Sequence, residues 1–266
     1  EDASCEIIER CKLLNYKLIH LSEGVNGKKS AIKYGVEESQ SEYILITDAD
    51  CQVPRTWVKT MVQSIVGSDR DWQAGGIKYD AEDNVLNFFQ RLESAYLVMI
   101  SGWTMSVNKP TTCNGANVMF KRSVFLKENG FEGLMQTPSG DDEMLMHKLH
   151  QKGYRLGYCT SRKAIVSTVP AFNLSELLNQ RIRWAGKMKY SKSKNNHVLA
   201  IFILLVHVSL GISFIIDGEI ARQLMFARFF IEFAAALLMF MVLNIKFKLF
   251  YFVISFFVYP LYVIFM

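Results

Sequence analysis

Two carboxylates, Asp48 and Asp50, lie two residues apart at the end of an apolar stretch that begins at Tyr43. The stretch predicts a buried β-strand, on which residues two apart point to the same side. Both acids could therefore face one cation where the strand leaves the sheet. Mg2+ and Mn2+ favour such oxygen ligands and complete their shell with phosphate oxygens. The pair indicates an enzyme acting on an activated phosphate, although an Asp-rich turn gives the same pattern without chemistry.

A second acidic group, Asp141-Asp142-Glu143, opens a predicted helix over 141–152, with Gly153 placed to end it. The helix dipole favours acids in a first helical turn, which explains why the group is acidic. The dipole does not indicate which of the three acids has a chemical role. A carboxylate of this kind can accept a proton from a substrate.

Gln180, Arg183 and Trp184 share one face of a predicted amphipathic helix over 173–189, which Asn173 and Glu176 begin in capping-box spacing. The opposite face is apolar: Leu174, Leu177, Leu178, Ile182 and Ala185. An indole beside a guanidinium suits a flat or anionic ligand. The same helix could instead lie on a membrane with Trp184 at the level of the headgroups.

The elements that must position these groups alternate between helix and strand over residues 1–170. The pattern predicts helices near 5–14, 28–36, 56–66 and 86–100, and strands at 16–21, 43–48, 73–79, 117–120 and 154–159. This alternation is typical of an α/β layer with a mainly parallel sheet, whose ligand site lies beyond the carboxyl ends of the strands.

Three apolar stretches, 198–216, 224–245 and 249–266, follow the α/β part and predict transmembrane helices. Four lysines precede the first stretch and two separate the second from the third, so we expect residues before 197 to be cytoplasmic, because Lys and Arg accumulate on that side. The formal net charge of +5 is then explained by the membrane surface and requires no nucleic acid.

Histidine and cysteine residues give weaker signals. His147 and His150, three residues apart on one helix, predict solvated surface rather than a metal site. The five cysteines form no C-x-x-C pair, and reduced thiols are expected.

Taken together, these segments resemble the membrane-bound family 2 glycosyltransferases, a group with a GT-A catalytic domain that includes cellulose, chitin and hyaluronan synthases. The matching motifs occur in the family's order: Glu1-Asp2-Ala3-Ser4, Gly27-Lys28-Lys29-Ser30-Ala31, Asp48-Ala49-Asp50, Gly115-Ala116-Asn117, Asp141-Asp142 and Gln180-Arg181-Ile182-Arg183-Trp184. The resemblance implies a cytoplasmic GT-A domain over 1–172 that lacks its first strand, an interface helix over 173–196 and a transmembrane region over 197–266. It also implies an integral protein of a bacterial inner membrane.

The resemblance assigns the donor side of the site. Asp2 would lie near the nucleotide base, and Lys28, Asp48 and Arg183 would hold the nucleotide and its diphosphate. Asp48 and Asp50 would bind the divalent metal, Mg2+ or Mn2+, with Asp50 the firmer ligand. The implied donor is a nucleotide-sugar.

The catalytic and acceptor assignments also come from the resemblance. Asp142 corresponds to the general base of the family's Glu-Asp pair, in which Asp141 replaces the usual Glu. The acceptor, a saccharide or a lipid-linked sugar, would contact Gly115, Asn117, Asp141, Gln180 and Trp184. Inversion in a single displacement would follow.

Two other functions stay open from sequence. The absent first strand allows a non-catalytic membrane subunit that keeps the fold. Arg228 and Glu232, charges within an apolar stretch, allow a transport path, although residues four apart on a helix can simply pair with each other.

Overall fold

The computed structural model describes residues 6–7, 10, 16–21, 27–134, 140–186 and 193–265. The chain divides into two compact units, Glu1–Ser41 and Glu42–Met266.

The first unit contains helix α1, Lys28–Glu38, which confirms the helix predicted at 28–36. The strand predicted at 16–21 is wrong, because these residues have no regular secondary structure and pair with no strand in the described part of the unit. Alternating side chains make a strand only where a neighbouring strand accepts its hydrogen bonds. Most of the helix predicted near 5–14 lies outside the described residues.

The second unit is built on a four-stranded sheet of order β1-β4-β2-β5. Its strands are β1 (Tyr43–Ile46), β2 (Trp72–Gly75), β4 (Val118–Lys121) and β5 (Leu156–Cys159). β2 and β5 run parallel, whereas β4 runs antiparallel to both β1 and β2. The α/β class predicted from sequence is confirmed, and the sheet is mixed because β4 enters between two strands that precede it in the chain.

A two-stranded parallel ribbon lies beside this sheet, formed by β3 (Ile77–Tyr79) and β6 (Val166–Thr168). The sequence predicts β2 and β3 as one strand, but the chain changes sheets between them. Gly75 permits the change: a Cβ atom there would lie 2.4 Å from Nδ2 of Asn117, so only glycine fits against that side chain.

Helices cover the sheet and connect its strands. They are α2 (Trp57–Gly67), α3 (Val85–Ser106), α4 (Arg122–Lys127), α5 (Asp141–Gln151) and a 3-10 turn, Arg162–Ala164. Trp57, Met61 and Ile65, spaced at four residues along α2, pack on the sheet in one buried cluster with Ile77 and Met119.

Four further helices follow: α6 (Leu174–Gly186), α7 (Lys194–Ile216), α8 (Gly218–Leu243) and α9 (Leu249–Phe265). Two stretches, Lys194–Ser213 and Gly218–Leu243, are long and apolar enough to cross a membrane, and α9 is a shorter apolar helix. The ends of α8 and α9 pack on α3 through aromatic side chains, among them Phe88 and Phe240, whose ring centroids lie 5.2 Å apart.

Candidate active site

Asp48 and Asp50 lie in a tight turn after β1, which ends at Ile46. The amide of Cys51 donates to the carbonyl oxygen of Asp48 at 3.1 Å and closes this turn. The argument that strand alternation aligns the two acids is therefore wrong, because neither belongs to the strand. The turn leaves Asp48 half-buried and Asp50 exposed, within two residues of each other.

Asp142, the predicted base, occupies the first turn of α5 against Gly115. A Cβ atom on Gly115 would lie 3.1 Å from Oδ2 and 3.2 Å from Cγ of Asp142, so the glycine leaves room for this carboxylate. Asp142 is half-buried and its first turn is preceded by Gly140 in a left-handed conformation, with φ of 84°. Two residues predicted from separate segments are thus brought into contact.

Asn117 has a different surrounding from the one expected for a residue that lines an acceptor pocket. Its side chain is fully buried, and its oxygen accepts from Nε1 of Trp57 at 2.9 Å. Its Nδ2 donates to the carbonyl oxygens of Gly76 at 2.9 Å and Ala164 at 2.8 Å. Asn117, just before β4, therefore ties this segment to α2, to Gly76 and to the 3-10 turn.

An ion pair that the sequence interpretation missed anchors the helix of the Gln-Arg-Trp motif. Arg181 donates through Nε to Oε2 of Glu93 at 2.8 Å, and Tyr262 donates its hydroxyl to Oε1 at 2.7 Å. Arg181 and Glu93 are only 5% and 6% exposed. The sequence did contain a signal for this ion pair. Glu93 is an acid within the apolar middle of a long helix, and a buried acid requires a partner.

The same guanidinium organises the neighbouring motif residues. Its Cζ lies 4.2 Å from the ring centroid of Trp184, and its Nη1 donates to the side-chain oxygen of Gln180. Burial alone would lower the pKa of Arg181, but the Glu93 carboxylate raises it, so the guanidinium stays charged. Arg181 therefore fixes both Gln180 and Trp184.

Tyr79 connects this network with the acidic turn. Burial raises the pKa of Tyr79, and the charges of Arg181, Glu93 and Asp50 also act on it. Since such effects require proximity, Tyr79 lies near both Arg181 and Asp50. It is a further site residue that the sequence interpretation missed, since it reads as an ordinary buried strand position.

The protein buries only part of the apolar face of α6. Leu177 and Arg181 are buried, whereas Leu174 and Ile182 are exposed. The Glu93 carboxylate draws Arg181 inward. Arg183 is exposed on the same helix. The capping box is present, because the amide of Glu176 donates to Oδ1 of Asn173 at 2.9 Å.

His147 is buried, so the prediction of a solvated surface is wrong for this residue. Its Nε2 lies 3.0 Å from the carbonyl oxygen of Thr111 and 3.2 Å from Nδ2 of Asn196, which also donates to Glu143 at 2.6 Å. These polar partners satisfy the imidazole in the interior. The contacts join α5, which carries Asp142, to the first turn of α7.

Three predicted site residues remain: Lys28, Asp2 and Asp141. Lys28 begins α1 in the first unit, and Asp2 is outside the described residues. Asp141 begins α5, but its side chain is not among those described.

The acidic turn carries the two residues that would hold a divalent metal. Within the described residues, no three His, Cys, Asp or Glu side chains group as metal ligands. Two neighbouring carboxylates nevertheless suit Mg2+ or Mn2+, which commonly take one or two carboxylates and complete their shell with water and substrate phosphates. The donor set of Asp48 and Asp50 thus fits a metal that arrives with a diphosphate, rather than one held by protein alone.

Comparison with known sequences identifies the class of protein that this fold and site define. The sequence model described as "Glycosyl transferase family group 2" matches residues 43–266. The match covers the sheet, the acidic turn, Asp142, the Gln-Arg-Trp helix and the apolar helices. The chain therefore belongs to this family, which confirms the resemblance found from its motifs.

Two named relatives are similar to parts of the chain. The poly-beta-1,6-N-acetyl-D-glucosamine synthase of Staphylococcus aureus strain COL is 25% identical over 187 residues, 69% of this chain and 44% of the relative. The same protein from strain N315 matches equally. The putative cellulose synthase-like protein D5 of Oryza sativa subsp. indica is 36% identical over 61 residues, 23% of this chain and 6% of the relative. The chain thus spans less than half the length of the synthases it matches.

Proposed function

We propose that the protein is a membrane-anchored glycosyltransferase that moves a sugar from a nucleotide-diphosphate donor to a saccharide or lipid-linked acceptor, with inversion. The observation that carries this proposal is the packing of Asp142 against Gly115, which supports a base beside the acceptor. Membership of the family and the Gln-Arg-Trp helix agree with it.

The donor side of the reaction would be served by the acidic turn. Asp48 and Asp50 would hold Mg2+ or Mn2+, which neutralises the charge that develops on the departing diphosphate. Arg183, exposed on α6, would reach the same diphosphate, and Lys28 and Asp2 would hold the nucleotide. The negative charge that develops on the leaving diphosphate needs more electrostatic stabilisation than any other group in the reaction. Cations at this position therefore accelerate the reaction.

The acceptor side would be served by Asp142 and α6. Asp142 would accept the proton from the attacking hydroxyl as the bond to the anomeric carbon forms. Attack from the face opposite the diphosphate inverts that carbon in one displacement and needs no covalent intermediate. Trp184, fixed by Arg181, offers an aromatic face to a sugar ring, and Gln180, Gly115 and Asp141 would complete the acceptor contacts.

N-Acetylglucosamine is the sugar we propose for the donor, because the Staphylococcus aureus relative is named as a poly-beta-1,6-N-acetyl-D-glucosamine synthase.

The three apolar helices would span the membrane and leave the catalytic domain on the cytoplasmic side. They are α7, α8 and α9. Lys246 and Lys248, between α8 and α9, favour that orientation.

The proposal is tested with membranes that contain the full-length protein. Membranes are incubated with a panel of nucleotide-sugars, and release of free nucleotide is measured with and without a chelator. We expect release from a nucleotide-activated N-acetylglucosamine, its loss with the chelator and its return with Mn2+ or Mg2+. No release from any donor, together with no Mn2+-dependent binding of UDP, would favour the non-catalytic subunit instead.

A further inference from the structure

A cleft of about 570 Å³ lies outside the site described above, and we call it the basic cleft. Its lining comes from the segment after the acidic turn, the ribbon, the 3-10 turn and the end of α8. The polar and terminal residues that define it are Gln52, Lys78, Arg162, Ser167, Leu243 and Asn244.

The charge of the basic cleft is entirely positive. Lys78 and Arg162 line it, and no carboxylate does. Neither cation makes an ion pair with any residue in the described ranges. Two uncompensated cations in a concave surface concentrate positive potential and attract an anion. A Lys and an Arg together suit a phosphate group, which accepts several charge-assisted hydrogen bonds.

The basic cleft is separated from the candidate active site by the ribbon. Ile77 and Tyr79 on β3 are buried, and Tyr79 faces the network of Arg181 and Asp50. Lys78 lies between them, so its side chain leaves the strand on the opposite side. Lys78 is half-buried, in keeping with a position at the wall of the cleft.

One wall of the basic cleft is the end of an apolar helix. Leu243 is the last residue of α8, which is long enough to cross a membrane, and Asn244 caps it in a left-handed conformation. Ile165 adds a second apolar side chain to the lining. The cations therefore lie where a membrane-spanning helix would leave the bilayer, which is the level of phospholipid phosphates.

We propose that the basic cleft binds the phosphate group of an anionic phospholipid, with Lys78 and Arg162 on the phosphate at the end of α8. This inference rests on the proposed membrane insertion of α8 and does not depend on the proposed reaction. A soluble phosphate ligand shares the chemistry of the headgroup, and the experiment distinguishes the two sources.

The test uses the full-length protein in a neutral detergent and measures dissociation constants by thermophoresis. The probes are dioctanoyl phosphatidylglycerol, dioctanoyl phosphatidylcholine and inorganic phosphate. The variant K78Q/R162Q removes both charges, K78R/R162K retains them, and K59Q/K109Q removes two exposed charges elsewhere in the same unit. Thermal unfolding of each variant shows whether it is folded.

We expect phosphatidylglycerol to bind more tightly than phosphatidylcholine, and K78Q/R162Q to weaken that binding by about tenfold or more. K78R/R162K and K59Q/K109Q should bind like the wild type. If inorganic phosphate binds as tightly as phosphatidylglycerol through the same two residues, the anion site is supported and its ligand is soluble. Equal binding of phosphatidylglycerol by wild type and a folded K78Q/R162Q would overturn the proposal.

Discussion

Arg181 and Glu93 form a buried ion pair, with Nε of Arg181 2.8 Å from Oε2 of Glu93. The pair joins α6 to the middle of α3, and the guanidinium also lies over the ring of Trp184. A single contact thus links the helix of the Gln-Arg-Trp motif to the core of the catalytic unit.

Replacing Glu93 by Gln leaves the Arg181 guanidinium buried beside a neutral group. We expect E93Q to lower the free energy of unfolding by about 3 kcal/mol, since breaking a buried pair on one side leaves an uncompensated charge. Thermal or denaturant unfolding of the full-length protein in detergent measures the change. E82Q, which alters an exposed acid nearby, is the control and should unfold like the wild type.

The double variant E93M/R181M separates stability from positioning. It removes both charges while keeping side chains of comparable length, so it should be more stable than E93Q. It also removes the cation over Trp184, so we expect it to raise KM for the acceptor in the nucleotide-release assay. Wild-type KM in E93M/R181M would show that the pair only stabilises the fold.

Gly115 sets the position of Asp142. G115A places a methyl group 3.1–3.2 Å from the Asp142 carboxylate, which must move by a few tenths of an ångström. We expect kcat to fall by roughly tenfold or more, because a displaced base loses its alignment with the hydroxyl. G102A is the control, since a methyl group there meets Tyr158 at an ordinary 3.5 Å. Nucleotide release measures both, and equal kcat in the two variants would contradict the assignment.

Asn117 is predicted to be a structural residue. N117A removes three hydrogen bonds and leaves the Trp57 indole and two carbonyl groups buried without that partner. Each such group costs about 1–3 kcal/mol, so N117A should fail to fold or unfold at much lower temperature. W57F removes only one of these bonds and should cost correspondingly less. If N117A unfolds like the wild type but changes KM for the acceptor, Asn117 would instead be assigned to the acceptor pocket.

The pH dependence of stability follows in part from His150. Burial, with a smaller effect of neighbouring His147, lowers the pKa of His150. The unfolded chain therefore binds this proton more readily, and the stability that His150 contributes is present above about pH 6.5 and lost below it. Unfolding temperatures at pH 7.5 and 5.5 should differ less in H150Q than in the wild type. H20Q, at an exposed position in the first unit, is the control and should keep the full difference.

The sequence was sufficient for elements with strong periodicity and for motifs that act locally. The helices at α2, α3 and α5 and the capping box of α6 follow from apolar spacing and side-chain chemistry near in the chain. The change of sheet at Gly75 could not be predicted from local sequence, because it depends on Asn117, which approaches from another segment.

Long-range pairing also explains what the site prediction missed. Arg181 of α6 pairs with Glu93, 88 residues away, so the apolar stripe of the helix could not show that Arg181 is buried. His147 was placed on the surface because its partners Thr111 and Asn196 belong to other segments. A periodic pattern indicates which side chains share a face. It does not indicate which polar groups of other segments pack against that face.

The most direct test of the account compares the wild type with D142N and E143Q in the full-length protein. Nucleotide release from the active donor and binding of that donor are both measured. D142N should lose release by about 10²–10⁴-fold while its donor affinity stays unchanged, because only proton acceptance is removed. E143Q, which alters the next acid on α5, should keep most of the activity. Release by D142N at the wild-type rate would contradict the assignment of Asp142 as the base and, with it, the proposed mechanism.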